Sequence, residues 1–490
     1  MHDVHKNFVD ALRDWLPEEE IEPYLQAAQQ PLKKSISLTT NKMSVEEFIA
    51  TTRPRGWHLT PIPFASDAES FYIDREDTEI ALGSTFLHQT GYFYIQEIAA
   101  SLSAPHVPLH DGAIVLDMAA SPGGKTSQLC NTLLGKQHPG LVVANDVDAG
   151  RIKTLAHNLN KWGCYNSVIT KHNGFSFGKN LPNFFDHVLL DAPCSGEWTR
   201  FKSDTALAFW KQHEVNKIAG TQFQLLVSAL KTVKPGGSVI YSTCTLNPYE
   251  NEFIVQKALD FFGGDVQLWD IALDNVSPWL EMMHPEFSSE MQQKTWYDHE
   301  KMARLWPHRH GTWWFFIAHL HKRVATAAPL MRHHKLAPKN QFRLDSSNAL
   351  QQRMATFLRA TYGITVDPKV HFFVASKEMV YLTSPAFQSI KESLHCEKVW
   401  IPVCKMWRND MRPRHYLGNI LWHLAQKGVV ELNTDQAQAW IDGRDIDSQD
   451  VAVHHTAQDH PYKLLTRNKR GLSTAKYIAH NNVLKNKFMK

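Results

Sequence analysis

The sequence predicts an α/β protein built on a Rossmann-like sheet, and three observations carry that prediction. Between 113 and about 245, short apolar runs alternate with helical stretches, the rhythm of a parallel, doubly wound sheet. The first run ends in a glycine-rich turn that opens a helix, LDMAASPGGKTSQL at 116–129. The second ends beside an acid, in LVVANDVD.

The expected strands are AIVLD (113–117), LVVAN (141–145), SVIT (167–170), DHVLLD (186–191) and GSVIYST (237–243), with helices at 124–134, 149–161 and 206–233 between them. Right-handed crossovers place the strands' C-terminal ends along one edge, where ligands bind. DVQLWDIA (265–272) and TWWFFIAHL (312–320) are candidates to complete the sheet. Upstream, Ser44-Val-Glu-Glu47 reads as a capped helix start. TTRPRGWHLTPIPF is turn-like, with Arg53, Arg55 and Trp57 interleaved, and GYFYIQEIAASL is an aromatic entry into a helix at 95–102. KRVATAAPL after 321 reads as a linker. The expected domains are therefore 1–100, 101–324, 325–395 (without an assigned role) and 396–490.

With 490 residues the chain is long enough for two to four domains. Hydrophobic residues are 43% and charged residues 21%, and no apolar window is long enough to span a bilayer, so a cytoplasmic protein is expected. Six cysteines without a CxxC pair read as reduced thiols, and no histidine pair has a partner at metal-ligand spacing, so no metal is expected. The net charge of +3 hides an asymmetry: 461–490 holds eight Lys/Arg and no Asp/Glu, which suits a phosphate backbone or a solvated face.

The glycine-rich turn offers backbone N–H groups and a helix N-terminus to an anion. A P-loop needs a glycine five residues before Gly124, where Ala119 stands, and this weakens an ATPase reading. A nucleotide-methionine site needs an acid after the next strand for ribose hydroxyls, and Asp146 supplies it, with Asp148 nearby. S-adenosylmethionine has an adenosine for Asp146 and a carboxylate for the loop. Asn173, after the third strand, is placed to touch the adenine.

Two strand ends then carry cysteines: Asp191-Ala192-Pro193-Cys194 and Ser242-Thr243-Cys244. One such cysteine is usually a small buried hydrophobe. Two beside a strand-end aspartate suit pyrimidine chemistry. Carbon 5 of a pyrimidine attacks a methyl sulfonium poorly, but a thiolate adding at carbon 6 makes the ring enamine-like. A carboxyl held protonated by burial, with Asp191 the candidate, would assist at nitrogen 3. A base must then remove the carbon-5 proton. This chemistry needs one thiol and accommodates a second.

LDMAASPGGKT, DAPCSGEWTR and KPGGSVIYSTCTLNPYENE resemble motifs I, IV and VI of the Nol/Nop/Sun RNA 5-methylcytosine methyltransferases. The resemblance covers residues 5–322 and, more loosely, the tail. It implies a class I S-adenosylmethionine-dependent methyltransferase sheet with an N-terminal RNA-binding region. It also implies that Cys244 attacks and Cys194 assists release, while Ala119, Ala120, Ser121, Pro122, Gly123, Gly124, Lys125, Asp146, Asn173 and Asp191 line the cofactor site. The implied substrate is ribosomal RNA of the small subunit or its precursor, at position 1407 of 16S rRNA, and the implied enzyme is a monomer. GVVELNTDQAQAWIDGRDI is similar to PUA-like RNA-binding modules. The chain departs from the family pattern at Ala119 (usually cysteine), Asn173 (often aspartate), Ser37 (an arginine expected to touch RNA) and Trp314 (usually glycine). Motifs I, IV and VI do not choose the substrate, so a tRNA or another rRNA site stays open, as does an RNA-binding assembly factor with little turnover.

Overall fold

The computed structural model describes residues 6–64, 69–196, 212–271, 273, 299–323, 344–399, 401–407, 410–447, 451, 462–466, 471–478 and 483–486. The chain opens with helices Lys6–Arg13 and Glu18–Gln29, followed by a four-stranded antiparallel sheet. Its strands are β1 (Ser35–Leu38), β2 (Trp57–Pro61), β3 (Ser70–Arg75) and β4 (Phe93–Ile95), in the order β2-β3-β1-β4. Ser44 caps helix Val45–Thr52 as expected, accepting from the Glu47 N–H at 3.2 Å. The helix expected at 95–102 is shorter: the aromatic run pairs with β1 as strand β4, and only Ile98–Ser101 is helical. Aromatic and β-branched side chains favour that pleated pairing.

The central sheet contains all five expected parallel strands: β5 (Ile114–Asp117), β6 (Leu141–Asn145), β7 (Ser167–Thr170), β8 (Phe185–Asp191) and β9 (Val233–Thr243). Their spatial order, β9-β8-β5-β6-β7, reverses direction at β5. This reversal is the switch point at which open α/β sheets bind ligands, and both β5 and β8 end there. Period-2 alternation explains why the strands read as unbroken apolar runs. Leu116, Val188, Leu190, Val239 and Tyr241 pack on one face with helix Gln212–Thr232, and Val115, Val142, Leu189 and Ile240 pack on the other with helices Gly124–Leu134 and Ala149–Trp162. Residues 206–211 of the third expected helix lie outside the described residues. After helix Glu252–Phe262, antiparallel strands β10 (Val266–Trp269), β11 (Ala303–Leu305) and β12 (Phe315–Lys322) complete the sheet beyond β9.

The linker expected after 321 falls mostly outside the described residues. Beyond it, helix Asn348–Tyr362 precedes a second antiparallel sheet of β13 (Phe372–Ser376), β14 (Met379–Thr383), β16 (Ile401–Trp407) and β17 (Asp410–Pro413), so strands from both sides of residue 396 share one sheet. Between them, β15 (Lys398–Val399) adds to the free edge of β7 and ties this module to the central sheet. The last sheet holds β18 (Val429–Glu431), β19 (Ile446–Asp447), β20 (Tyr462–Thr466), β21 (Gly471–Ile478) and β22 (Val483–Lys485), with helix Thr434–Ile441 after β18. Its core residues Val430, Trp440 and Leu465 share one cluster with Ile36, Phe48, Trp57 and Phe93 of the N-terminal sheet. The two ends of the chain therefore pack together. Among the described residues, no helix is long and apolar enough to cross a membrane.

Candidate active site

The turn after β5 is shaped by close backbone packing. Gly123 takes φ +110°, and a Cβ at Gly124 would stand 2.9 Å from the Tyr94 ring. The Ala120 N–H donates to Asn145 O at 2.7 Å, and Asn145 Nδ2 donates to Met118 O at 3.0 Å, which binds the turn to β6. Against this turn lies a cavity of about 300 Å³ lined by Tyr94, Gln96, Glu97, Asp117, Ala119, Ala120, Ser121, Pro122, Gly124, Lys125, Asp191 and Trp313, among others. Seven of the ten residues assigned to the cofactor from sequence meet here; Gly123, Asp146 and Asn173 do not line it.

The lining suits an amino acid group. Asp117 Oδ1 and Gln96 Oε1 are buried acceptors with no hydrogen-bond partner among the described residues, and an ammonium would satisfy both. Burial, reinforced by the Asp191 charge and opposed by the Thr126 hydroxyl and Lys125, raises the Asp117 carboxyl to about 7. Burial likewise raises Glu97, against N–H donation from Trp313 and Ala100. The adenosine-side residues differ. Asp146 is buried against the turn, where Ser121 N–H (3.3 Å), Asp148 N–H (3.0 Å) and Arg151 (3.5 Å) engage its carboxylate. Asn173 is exposed, and its Oδ1 accepts from the Phe175 N–H at 3.1 Å.

Register brings the two cysteine motifs together. Asp191 pairs with Ser242 across β8 and β9. The Ser242 hydroxyl donates to Asp191 Oδ1 at 2.9 Å, and Lys125 Nζ donates to Oδ2 at 2.7 Å. Burial was expected to keep this carboxyl as a donor; instead its side chain is 34% exposed and both oxygens accept bonds. Just beyond, Cys194 Sγ and Cys244 Sγ lie 2.9 Å apart, both as free thiols. The hydrogen bond to Cys244, then burial, then the Cys244 and Glu250 charges hold the Cys194 thiol well above its ordinary value. Cys194 therefore keeps its proton and can donate it toward Cys244.

Five residues that sequence reasoning passed over, Glu250, Gln222, Tyr241, Arg304 and Glu252, surround this pair. Buried Glu250 accepts at Oε2 from the Ser195 N–H (2.9 Å) and from Gln222 Nε2 (2.9 Å), while Gln222 Nε2 also reaches Pro193 O (2.9 Å). The Tyr241 hydroxyl donates to Glu250 O at 2.6 Å. Fully buried Arg304 grips Glu252 through Nη2 at 2.5 and 2.6 Å and donates to Leu246 O. Glu250 and Glu252 stand inside the YENE stretch already singled out, so an acid in a segment with buried neighbours was the available signal. Asp117 ends its strand as Asp191 does, and that parallel was equally readable.

The family departures have local explanations. Ser37 Oγ is buried against Ser70 Oγ at 2.6 Å, inside the N-terminal sheet rather than toward solvent. Trp314 is fully buried and stacks on Tyr24 of helix Glu18–Gln29 at 5.1 Å. Ala119 lines the cavity, where a methyl group suffices for packing. Residues 197–200 of the DAPCSGEWTR stretch lie outside the described residues.

Residues 105–321 match the model of the 16S rRNA methyltransferase RsmB/F family, and residues 4–98 match that of the N-terminal domain of 16S rRNA methyltransferase RsmF. The chain is 33% identical over 445 residues to the ribosomal RNA small subunit methyltransferase F of Erwinia tasmaniensis, covering 90% of this chain and 88% of that one. It is 31% identical to the protein of that name from Photobacterium profundum, covering 94% and 93%. Among solved structures, a methyltransferase homologue from Pyrococcus horikoshii superposes with a TM-score of 0.52 at 31% identity, over 63% of this chain and 92% of that one. NSun6 from the same organism, solved with SFG, shares the fold with a TM-score of 0.53 at 20% identity, over 66% and 98%. The chain belongs to the 16S rRNA methyltransferase RsmB/F family.

Proposed function

We propose that this protein methylates carbon 5 of a cytosine in 16S ribosomal RNA, at position 1407 as the family resemblance implies, through a covalent Cys244–cytosine adduct. The observation that carries the reading is the pair of thiols 2.9 Å apart, beside an aspartate that also lines the cavity. S-adenosylmethionine, of which SFG is an analogue, supplies the electrophilic methyl group when bound. The buried acceptors Asp117 and Gln96 would hold its ammonium, and Ala119–Lys125 its carboxylate.

Cys244, as thiolate, adds to carbon 6 of a base drawn out of its stack, at a cost of about a few kcal/mol. Asp191, whose Oδ2 accepts from the Lys125 ammonium, relays a proton from it to nitrogen 3 as charge builds up on the ring. Carbon 5 then takes the methyl group. Cys194, once its own proton has passed to solvent, takes the proton from carbon 5, the carbon–sulfur bond to Cys244 breaks, and the proton on nitrogen 3 returns through Asp191. A thiol whose proton is held tightly is a poor nucleophile near neutrality, but its thiolate is a strong base. A tightly held proton thus suits Cys194 to release rather than attack, and the family resemblance assigns the attack to Cys244.

Residues 1–100 and the last sheet, with its basic tail, would hold the RNA, the latter as a PUA-like module. Their shared core supports treating them as one continuous platform. The enzyme would work as a cytoplasmic monomer on the small subunit or its precursor. Mapping 5-methylcytosine in ribosomal RNA from cells with and without the protein tests the reading: one 16S cytosine should lose its methyl group, and an unchanged map would sink it.

A further inference from the structure

Lys405 and Arg412 stand directly opposite each other on the antiparallel pair β16/β17. Like charges at opposed positions weaken a sheet, so their retention on a surface hairpin calls for a reason. Both cations lie over the ring of Trp407, at 5.3 and 5.2 Å from its centroid. The ring itself is 40% exposed, although burying it would have added to the stability of the module. The nearby acids hold the two cations only in exchangeable surface pairs. Glu378 is 3.1 Å from Lys405 and Asp410 is 3.3 Å from Arg412, both in solvent-exposed pairs of little worth. Exposed Arg414 directly follows β17 and adds a further positive charge.

We propose that Lys405, Trp407 and Arg412 form a binding site for single-stranded RNA, one base stacking on the indole while the two cations take flanking phosphates. The proposal rests on the reading of ribosomal RNA as substrate. Aromatic rings beside Arg and Lys bind unpaired nucleotides because every base offers a π-face and every step a phosphate. A phosphate would exchange for Glu378 and Asp410 as the partner of these cations. Since β15 ties this module to the edge of β7, RNA held here is held relative to the methyltransferase sheet.

The test uses the full-length protein, with an oligouridylate, protein-free 16S rRNA and assembled small subunits as probes. Trp407→Ala should weaken binding to both roughly tenfold, and Trp407→Phe should retain most of it. Lys405→Gln with Arg412→Gln should flatten the salt dependence of binding by about 1.4 in log–log slope. S-adenosylmethionine affinity and the unfolding temperature should stay at their original values. Trp407→Ala binding like the original protein overturns the proposal. So does an equal loss for Ala and Phe together with a lowered unfolding temperature, which would make Trp407 a hairpin staple. A defect confined to assembled small subunits also overturns it, in favour of a protein partner. If the unaltered protein forms no 5-methylcytosine in 16S rRNA, the catalytic reading fails, and the oligouridylate result still decides this site.

Discussion

Asp191 and Ser242 face each other on the parallel strands β8 and β9, joined by a 2.9 Å hydrogen bond. This register pair explains why the two cysteines meet. Each chain leaves its strand from the same level, so Cys194 and Cys244 arrive at one point above the sheet edge, 2.9 Å apart. A slip of one residue between the strands would turn every side chain to the other face and separate them.

The pair gives an ordered prediction. Cys244→Ala should reduce methylation to background while S-adenosylmethionine binding persists. Cys194→Ala should instead accumulate a protein–RNA adduct, seen as a denaturation-resistant band that the double variant lacks. Free turnover by Cys194→Ala would remove its release role.

Asp117 gives a pH prediction. Its carboxyl is raised to about 7, chiefly by burial, from about 3.9 in an unfolded chain. The folded state thus binds this proton more tightly, so its contribution to stability is full below about pH 4 and is lost as pH rises through 7. An ammonium in the cavity favours the carboxylate, so cofactor binding should expel the proton. Affinity for S-adenosylmethionine should rise up to tenfold per pH unit on approaching 7 and then level off. Asp117→Asn should bind more weakly and with a flatter profile. Glu97, Lys125 and Asp191 share the cavity and are unchanged by that substitution. A titration between pH 5.5 and 8 checks both curves, and an unaltered profile in the variant would assign the effect to Glu97.

The parallel strands were legible because each is buried on both faces and so reads as an uninterrupted apolar run ending at Asp117, Asn145, Thr170, Asp191 or Thr243. The cysteines were legible because they follow those ends. Glu250 and Arg304 were not, since what they hold is set by tertiary contacts across 55 and 58 positions of chain. The aromatic run was read only as an entry into a helix at 95–102 because the partner of 93–95, β1, lies far upstream, and strand pairing overrode local pattern. Strands β16 and β17 were set apart from β13 and β14 for the same reason: nothing in the segment at 396 announces which sheet it joins.

Glu250 predicts a positioning defect. Its carboxylate links the backbone of the Cys194 loop to Gln222, and its own carbonyl is fixed by Tyr241. Glu250→Ala removes charged buried hydrogen bonds worth about 1.5–3 kcal/mol each. If half or more of that loss falls on the geometry of the thiol pair, kcat should drop roughly tenfold or more, with cofactor affinity unchanged. Glu250→Gln keeps one acceptor oxygen and should recover part of the rate. Equal rates for all three proteins would leave Glu250 without a part in the site.

Arg304 and Glu252 separate stability from rate. Both are fully buried, and their pairing at 2.5 Å lies directly beneath the loop that carries Cys244, whose Leu246 carbonyl Arg304 also holds. Removing one partner of such a pair leaves a buried charge and costs about 3–5 kcal/mol, whereas replacing both with apolar residues is often neutral. Arg304→Met alone should therefore lower the denaturant midpoint sharply. The double variant Arg304→Met with Glu252→Met should recover most of that stability. It should not recover kcat, because the Leu246 carbonyl has still lost its donor and the Cys244 loop its anchor. Denaturant melts and single-turnover methylation measured side by side distinguish the two effects, and a double variant restored in both would make the ion pair purely structural.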